Sequence, residues 1–330
     1  MKNANENLIG LDIGTSRIVA ARRSGDEYRY ESQLNAFVRI PFSKMTLNVL
    51  KKEEVPHVVN GEEITVFGNE ASRFADLLNS ETRRPMTRGI LNPTEADSLG
   101  QIRHVIGAVI GEEKRGQKVC FSVPAPPLGY EANLTYHEAT LKGVLEGMGY
   151  ETRSINEGLA VIYSELEDTN YTGVGVSCGG GLCNVSVAYM SVPVTSFSTP
   201  KGGDFIDSSA AAVTGELANR IRIAKEETFH FNGHFADKVL QALSVYYDDL
   251  IQSVMNGLKE AFQNSRNVPR IGKPIPLVLS GGSAMPPGFR DRFHKHLNEA
   301  SLPVKFSEVR LAKDPLNATA KGALVAVIAD

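Results

Sequence analysis

Cysteine is scarce in this 330-residue chain, which has only Cys120, Cys178 and Cys183. Each lies in an apolar, strand-like stretch, which suits a small buried hydrophobe in a reducing compartment and excludes a disulfide framework. No Cys/His group has zinc spacing, and His294 and His296, two apart on an expected helix, diverge. Excess charge of either sign is also missing. Lys and Arg number 35 against 38 Asp and Glu, a formal net charge of -3, so no long-range field draws the molecule toward nucleic acid or anionic lipid. No apolar run approaches the length of a membrane span, and the start MKNANENLIG has no apolar signal core. A cytoplasmic protein without a nucleic-acid partner or a clear membrane anchor is therefore expected; AFVRIPF at 36–42 is the one stretch suited to touching a membrane, and a strand explains it equally well. A GxxxxGKS/T phosphate loop and a GxSxG elbow are absent, which excludes P-loop chemistry and removes the argument for a hydrolase triad. There is no low-complexity tract and no short tandem repeat.

What is present is globular material, 42% hydrophobic and 22% charged, enough apolar surface for two core-bearing lobes. NLIGLDIG reads as a strand entering the turn GTSR and leaving through IVAARR, with EYRYESQL alternating in period two. Residues 36–78 are mixed and punctuated by Pro41, Pro56 and NGEE, as a small inserted subdomain would be. LNPTEADSLGQIRHVIGAVIGEE predicts a helix with Asn92 as N-cap, Pro93 at its first position and a stripe of Leu99, Ile102, Val105 and Ile106. LTYHEATLKGVLEGMGY predicts another, with Thr135 and Glu138 at capping-box spacing. INEGLAVIYSEL is an apolar helix leading into the strands of VGVSCGGGLCNVSVA. The clearest amphipathic helix is ADKVLQALSVYYDDLIQSVMNGLKEAFQ, whose core stripe is Val239, Leu243, Tyr246, Leu250, Val254 and Leu258. The strand–glycine turn–strand unit occurs once per half, at 12–16 and at 177–182, so two similar halves facing each other would set two glycine loops across one cleft.

A tight glycine turn is an anion cradle, because its N–H groups already converge and glycine permits close approach. In DIGTS, Gly14 provides the turn, Thr15 and Ser16 can donate hydroxyl hydrogen bonds to phosphate, Arg17 adds charge, and Asp12 at the strand end can hold magnesium. The signal gains weight from order: DIGTS, then CGGG, then GGDFID, then LVLSGGSA.

This ordered set resembles the actin-like ATPase superfamily over nearly the whole chain, and its length and details are most similar to the MreB and MamK filament proteins. The resemblance implies an α/β, two-lobed actin-like fold: two duplicated, ribonuclease-H-like mixed-sheet domains with helices on both faces and a central nucleotide cleft. Lobe I would span 1–172, with an inserted subdomain at about 36–84 and a terminal helix at about 316–330 packing back on it. Lobe II would span 173–315, with a helical subdomain at about 208–272. ATP or ADP with Mg²⁺ would bind Gly14, Thr15, Ser16 and Arg17, then Gly179, Gly180, Gly181 and Leu182, then Gly202, Gly203 and Asp204, and Gly281, Gly282 and Ser283 beside the adenosine. Lys225 and Glu226 are further nucleotide contacts by the same likeness, or simply a solvated helix face. Asp12 would hold the metal, and His137 and Glu138 fall where relatives position the catalytic water; the simpler readings are a capping box for Glu138 and polar surface for His137. The chain departs from the pattern at the second loop, where Ser177 replaces an acid, Leu182 and Cys183 a hydroxyl pair, and Asn184 the final acid. Backbone cradling survives that change, while metal chemistry is thinned. The implied function is a bacterial actin-like cytoskeletal protein that polymerises head to tail, with slow hydrolysis. The alternatives are a non-hydrolysing nucleotide-binding scaffold and, after it, a chaperone-like, reactivating or small-molecule kinase domain.

Overall fold

The computed structural model describes residues 8–78, 80–111, 116–129, 133–233, 235, 237–264 and 273–329. Residues 1–7, with the polar start noted above, lie outside them. The continuous buried runs of β1 (Leu8–Ile13) and β2 (Arg17–Ser24) and the alternating edge strand β3 (Glu27–Leu34) form an antiparallel meander. Then come β4 (Phe37–Pro41), α1 (Lys44–Lys52), β5 (His57–Asn60), β6 (Glu63–Phe67) and α2 (Asn69–Leu77). Their strands form a separate sheet in the order β4-β6-β5, with its own apolar cluster around Val38, Ile40, Leu50, Ile64 and Val66. A ribbon of β7 (Met86–Thr87) and β8 (Ile90–Leu91) follows. Chain then returns to the meander through α3 (Ser98–Ile110), β9 (Lys118–Val123), α4 (Leu134–Gly147) and β10 (Glu151–Asn156), with β9 parallel to β1 and β10 parallel to β9.

The second half repeats this plan. After α5 (Glu157–Glu165), a second meander is built from β11 (Gly173–Cys178), β12 (Cys183–Tyr189) and β13 (Val192–Thr199). Three helices follow, α6 (Gly203–Thr214), α7 (Ala218–Glu227) and α8 (Lys238–Asn264). Then β14 (Ile275–Ser280), α9 (Phe289–Glu299) and β15 (Phe306–Leu311) complete the sheet in parallel, and α10 (Ala318–Ile328) closes the order. The strand orders β3-β2-β1-β9-β10 and β13-β12-β11-β14-β15 are the same arrangement twice. This is the duplicated, mixed-sheet α/β architecture the motifs implied.

Helices cover both faces of each sheet. One face of the first sheet packs on α3 and α4 through Ile9, Leu11, Ile102, Val105, Leu141 and Leu145. In the second half, α6, α8 and α9 bury Ile206, Leu243, Leu250, Val254 and Phe289 against β11, β12 and β14. The other faces are covered crosswise. Helix α5 follows the first sheet yet packs on β11 and β12, and α10 follows the second sheet yet packs on β1 and β9. Contact is close because each facing strand has glycine at its third position: a Cβ at Gly10 would lie 2.1 Å from the Ala320 carbonyl, and one at Gly175 would lie 2.2 Å from the Gly158 carbonyl. The two helices also touch each other, where a Cβ on Gly322 would stand 1.7 Å from the Ala160 carbonyl.

Three local expectations are corrected. Helix α3 starts at Ser98, not at Pro93, because the Asn92 side chain closes its own turn by accepting from the Thr94 N–H and hydroxyl. Helix α4 is capped by Asn133, whose Oδ1 accepts from Tyr136 N, so Thr135 and Glu138 form no capping box; Glu138 instead accepts from the Ser154 hydroxyl. In α8, Tyr247 is the fully buried aromatic and Tyr246 is half-buried, since Tyr247 falls on the same face as Leu243, Leu250 and Val254. The three cysteines are free and buried, as expected.

Candidate functional site

The β1–β2 turn is set by a Gly14 N–H bond to the Arg17 carbonyl (3.0 Å), and Asn35 holds it from behind through bonds to Gly14 O and Ser16 O. The β11–β12 turn closes in the same way, Gly179 N donating to Leu182 O at 2.9 Å. Its carbonyls recruit the other two glycine motifs. Gly179 O accepts from Gly203 N and from the Ser283 hydroxyl, each at 3.0 Å, and Gly180 O accepts from Asp204 N at 2.8 Å. The start of α6 and the turn after β14 are thereby fixed against the second glycine turn. The two turns face one another: a Cβ on Gly180 would lie 2.1 Å from Ser16 Oγ, and one on Gly181 would lie 2.4 Å from Thr15 Oγ1. The four motifs that are scattered over 270 positions of sequence thus converge on one place.

Beside the turns sits a pair of carboxylates. Asp12 and Ser177 occupy the fifth position of β1 and of β11, equivalent places in the two sheets. Asp12 accepts from the Ser122 hydroxyl at 2.7 Å, and burial pushes its pKa up to about 6 against that bond. Glu157, the first residue of α5, accepts from the Ser177 hydroxyl at 3.1 Å. Burial, and then the charge of Asp12, push the Glu157 carboxyl up to about 8, opposed by the Ser177 and Asn184 side chains. A buried acid whose charge raises the pKa of a second acid forms with it a site where a cation relieves repulsion. Among the described residues no group of three or more His, Cys, Asp or Glu side chains could hold a metal. The hard-oxygen donors present fit Mg²⁺, which takes one or two carboxylates and fills its remaining positions with water and phosphate.

Other expected residues lie around this centre with differing roles. Leu182 is buried against Gly89. Arg17 is exposed and donates to Ser32 Oγ, on the neighbouring strand, at 3.0 Å. Lys225 is buried, donating to Asp207 (2.8 Å) and to Gly203 O (3.1 Å) behind the first turn of α6, while Glu226 beside it is exposed. His137 is buried under β8, where its Nδ1 accepts from Leu91 N at 3.3 Å, and burial pushes its pKa down to about 4. Glu138 is bound to Ser154 on β10. The carboxylate that faces Asp12 is instead Glu157, which the sequence reading passed over: an acid in the first helical turn reads as a complement to the helix dipole. The signal that could have found it is its place at the start of the helix joining the two halves.

A family model described as Volactin matches residues 8–327. The chain belongs to the volactin family. Comparison with curated protein sequences gives no significant match. Among solved structures, this volactin-family chain is similar to one titled "MamK double helical filament", at 16% identity and a TM-score of 0.72, covering 97% of this chain and 98% of that one. A non-polymerising MamK mutant bound to AMPPNP matches at 18% identity and a TM-score of 0.57, over 96% of this chain and 97% of that one. The ethanolamine utilization protein EutJ from Carboxydothermus hydrogenoformans matches at 17% and 0.53, over 96% and 88%. The volactin-family chain has the two-lobed actin-like fold, as the ordered glycine motifs implied. Among its described residues no helix is long and apolar enough to cross a membrane.

Proposed function

We propose that this volactin-family chain binds ATP or ADP with Mg²⁺ between its two glycine turns, hydrolyses ATP slowly, and assembles head to tail into cytoplasmic filaments. The observation that carries the reading is the meeting of the two turns, one from each repeated sheet, beside the Asp12–Glu157 pair. The similar structures support it: one is titled a filament and another is bound to AMPPNP. In this reading the N–H groups of residues 14–17 and 179–182, with the Thr15 and Ser16 hydroxyls, cradle phosphate. The backbone of Gly202, Gly203 and Asp204 and the turn of Gly281, Gly282 and Ser283 line the nucleoside side, with Lys225 and Glu226 at its edge. The lobes would divide at about residue 172, and the helix beyond residue 315 would return to the first lobe. Asp12 would hold Mg²⁺, which supplies charge neutralisation to the phosphates. We assign the water-positioning role to Glu157 ahead of His137 and Glu138, since it shares the cleft wall with Asp12. Released from the proton it holds against Asp12, the Glu157 carboxylate accepts one from an attacking water. Ser177 fixes that carboxylate but adds no charge, which is the physical reason for slow turnover.

Head-to-tail contact is heterologous, so a rotation that does not close gives an open filament, and the nucleotide would bias subunit affinity through lobe closure. The second reading, a scaffold that binds nucleotide without hydrolysing it, draws on the same Ser177 and on the buried, apolar Leu182 and Cys183. Sedimentation and electron microscopy with and without ATP·Mg²⁺, paired with single-turnover hydrolysis by the wild type and Ser177→Asp, test both. Nucleotide-dependent polymer and a turnover raised about tenfold by the added acid are expected. A chain that stays monomeric at high concentration in every nucleotide state overturns the filament reading, and a rate untouched by Ser177→Asp overturns the account of slow turnover.

A further inference from the structure

Residues 83–91 run across the meeting point of the two turns. The two-residue turn of the β7–β8 ribbon, Arg88–Gly89, has φ of 47° and 77°, a left-handed pair that glycine eases. It touches both glycine turns: Gly89 N donates to Thr15 Oγ1 at 2.9 Å, and a Cβ on Gly89 would lie 2.3 Å from Leu182 Cδ1. Five residues upstream of Gly89, the Arg84 guanidinium reaches into the second half. Its Nη1 stands 2.8 and 2.9 Å from the two carboxylate oxygens of Asp204, at the start of α6, and 3.3 Å from Ser16 Oγ in the first turn. One cation therefore bridges the first glycine turn and the helix docked on the second.

We propose that Arg84 reads the terminal phosphoryl group of a bound nucleoside triphosphate, giving up Asp204 to hold it, so that the tie between the halves depends on which nucleotide is present. This inference rests on the reading of the turns as a nucleotide site. Three observations carry it. Ser16 Oγ is one of the hydroxyls assigned to phosphate, and a guanidinium 3.3 Å from it lies within reach of the same oxygens. Two other cations near the turns are engaged elsewhere, Arg17 with Ser32 and Lys225 with Asp207 and Gly203 O, and Arg88 on the ribbon turn is exposed. The Arg84–Asp204 pair is also easily exchanged: the two side chains are 25% and 40% exposed, so it is a weak tie, whereas arginine on phosphate makes paired, charge-assisted bonds. Asp204, once released, remains in the first turn of α6, where the helix dipole favours its charge.

The test is calorimetric titration of the full chain with ATP·Mg²⁺ and with ADP·Mg²⁺, for the wild type, Arg84→Ala, Arg84→Lys and Asp204→Asn. Arg84→Ala should lose about tenfold in ATP affinity and keep its ADP affinity within about twofold. Arg84→Lys should lose less, and Asp204→Asn, freed of the competing carboxylate, should raise the ATP-to-ADP affinity ratio. If Arg84→Ala does not fold, the ratios of the other two variants decide. Variants that change both affinities equally, or neither, while the wild type still binds, overturn the inference and make Arg84 a structural tie. A wild type that binds neither nucleotide overturns the underlying site, and the inference with it.

Discussion

Replacing Glu157 with glutamine should flatten the pH dependence of stability in the nucleotide-free protein. The Asp12 and Glu157 carboxyls are raised from 3.8 and 4.5 to about 6 and about 8, so between pH 6 and 8 the unfolded chain has released protons that the native pair still holds. The sign follows from linkage: groups with a raised native pKa stabilise the fold on the acid side, and that contribution is lost as pH rises through the native values. Averaged over these two pH units the native pair holds close to one proton more than the unfolded chain, at about 1.4 kcal/mol per unit, so the pair's contribution to stability should fall by up to about 3 kcal/mol. His137 works in the opposite direction: with its native pKa pushed down from 6.5 to about 4, the unfolded imidazole still titrates in the lower part of this window and returns about 1 kcal/mol, equally in the wild type and the variant. The measurement is the urea-unfolding midpoint at pH 6 and pH 8 in chelator. The wild type should be less stable at pH 8, Glu157→Gln should show a much smaller difference, and excess Mg²⁺ should restore the wild type at pH 8. Equal pH slopes in the wild type and the variant would refute the coupled pair.

Gly322→Ala places a Cβ 1.7 Å from the Ala160 carbonyl, against a van der Waals contact of roughly 3.5 Å, so α5 and α10 must part. It should destabilise by about 1–3 kcal/mol or more in thermal unfolding. Gly143→Ala on α4, where an added Cβ meets nothing within 4 Å, should be neutral or stabilising by up to about 1 kcal/mol; equal effects would refute the close crossing. Lys225→Met leaves the buried Asp207 without its cation and should cost about 3–5 kcal/mol. Adding Asp207→Asn should recover much of that loss, and additive losses in the double-mutant cycle would show that the pair is not coupled.

The fold was legible because its punctuation is local. Glycine turns between period-two apolar runs mark hairpins without reference to distant residues, and their order along the chain carries the architecture. Helix starts were less legible: Asn92 and Asn133 are equally good caps by composition, and only the structure distinguishes a side chain closing a turn from one opening a helix. Of the candidate site, the residues that act through their backbone were readable and those that act across the cleft were not. Glu157 gains its meaning from Asp12, 145 positions away in sequence, and Arg84 from Asp204, 120 positions away. Neither separation leaves a periodic trace. Lys225, by contrast, was noticed, but the buried Asp207 that engages it was not visible in the sequence.

The crosswise covering of the sheets bears on how the molecule comes to be built. Val19, Ala21 and Cys120 on the first sheet have as their apolar partners Ala320, Ala323, Leu324 and Val327, some two to three hundred positions later. A nascent chain that has completed β10 therefore still exposes a greasy surface, and only synthesis through residue 328 can seal it. Neither repeat should survive alone as a cut fragment, and the two should recover native structure only when mixed.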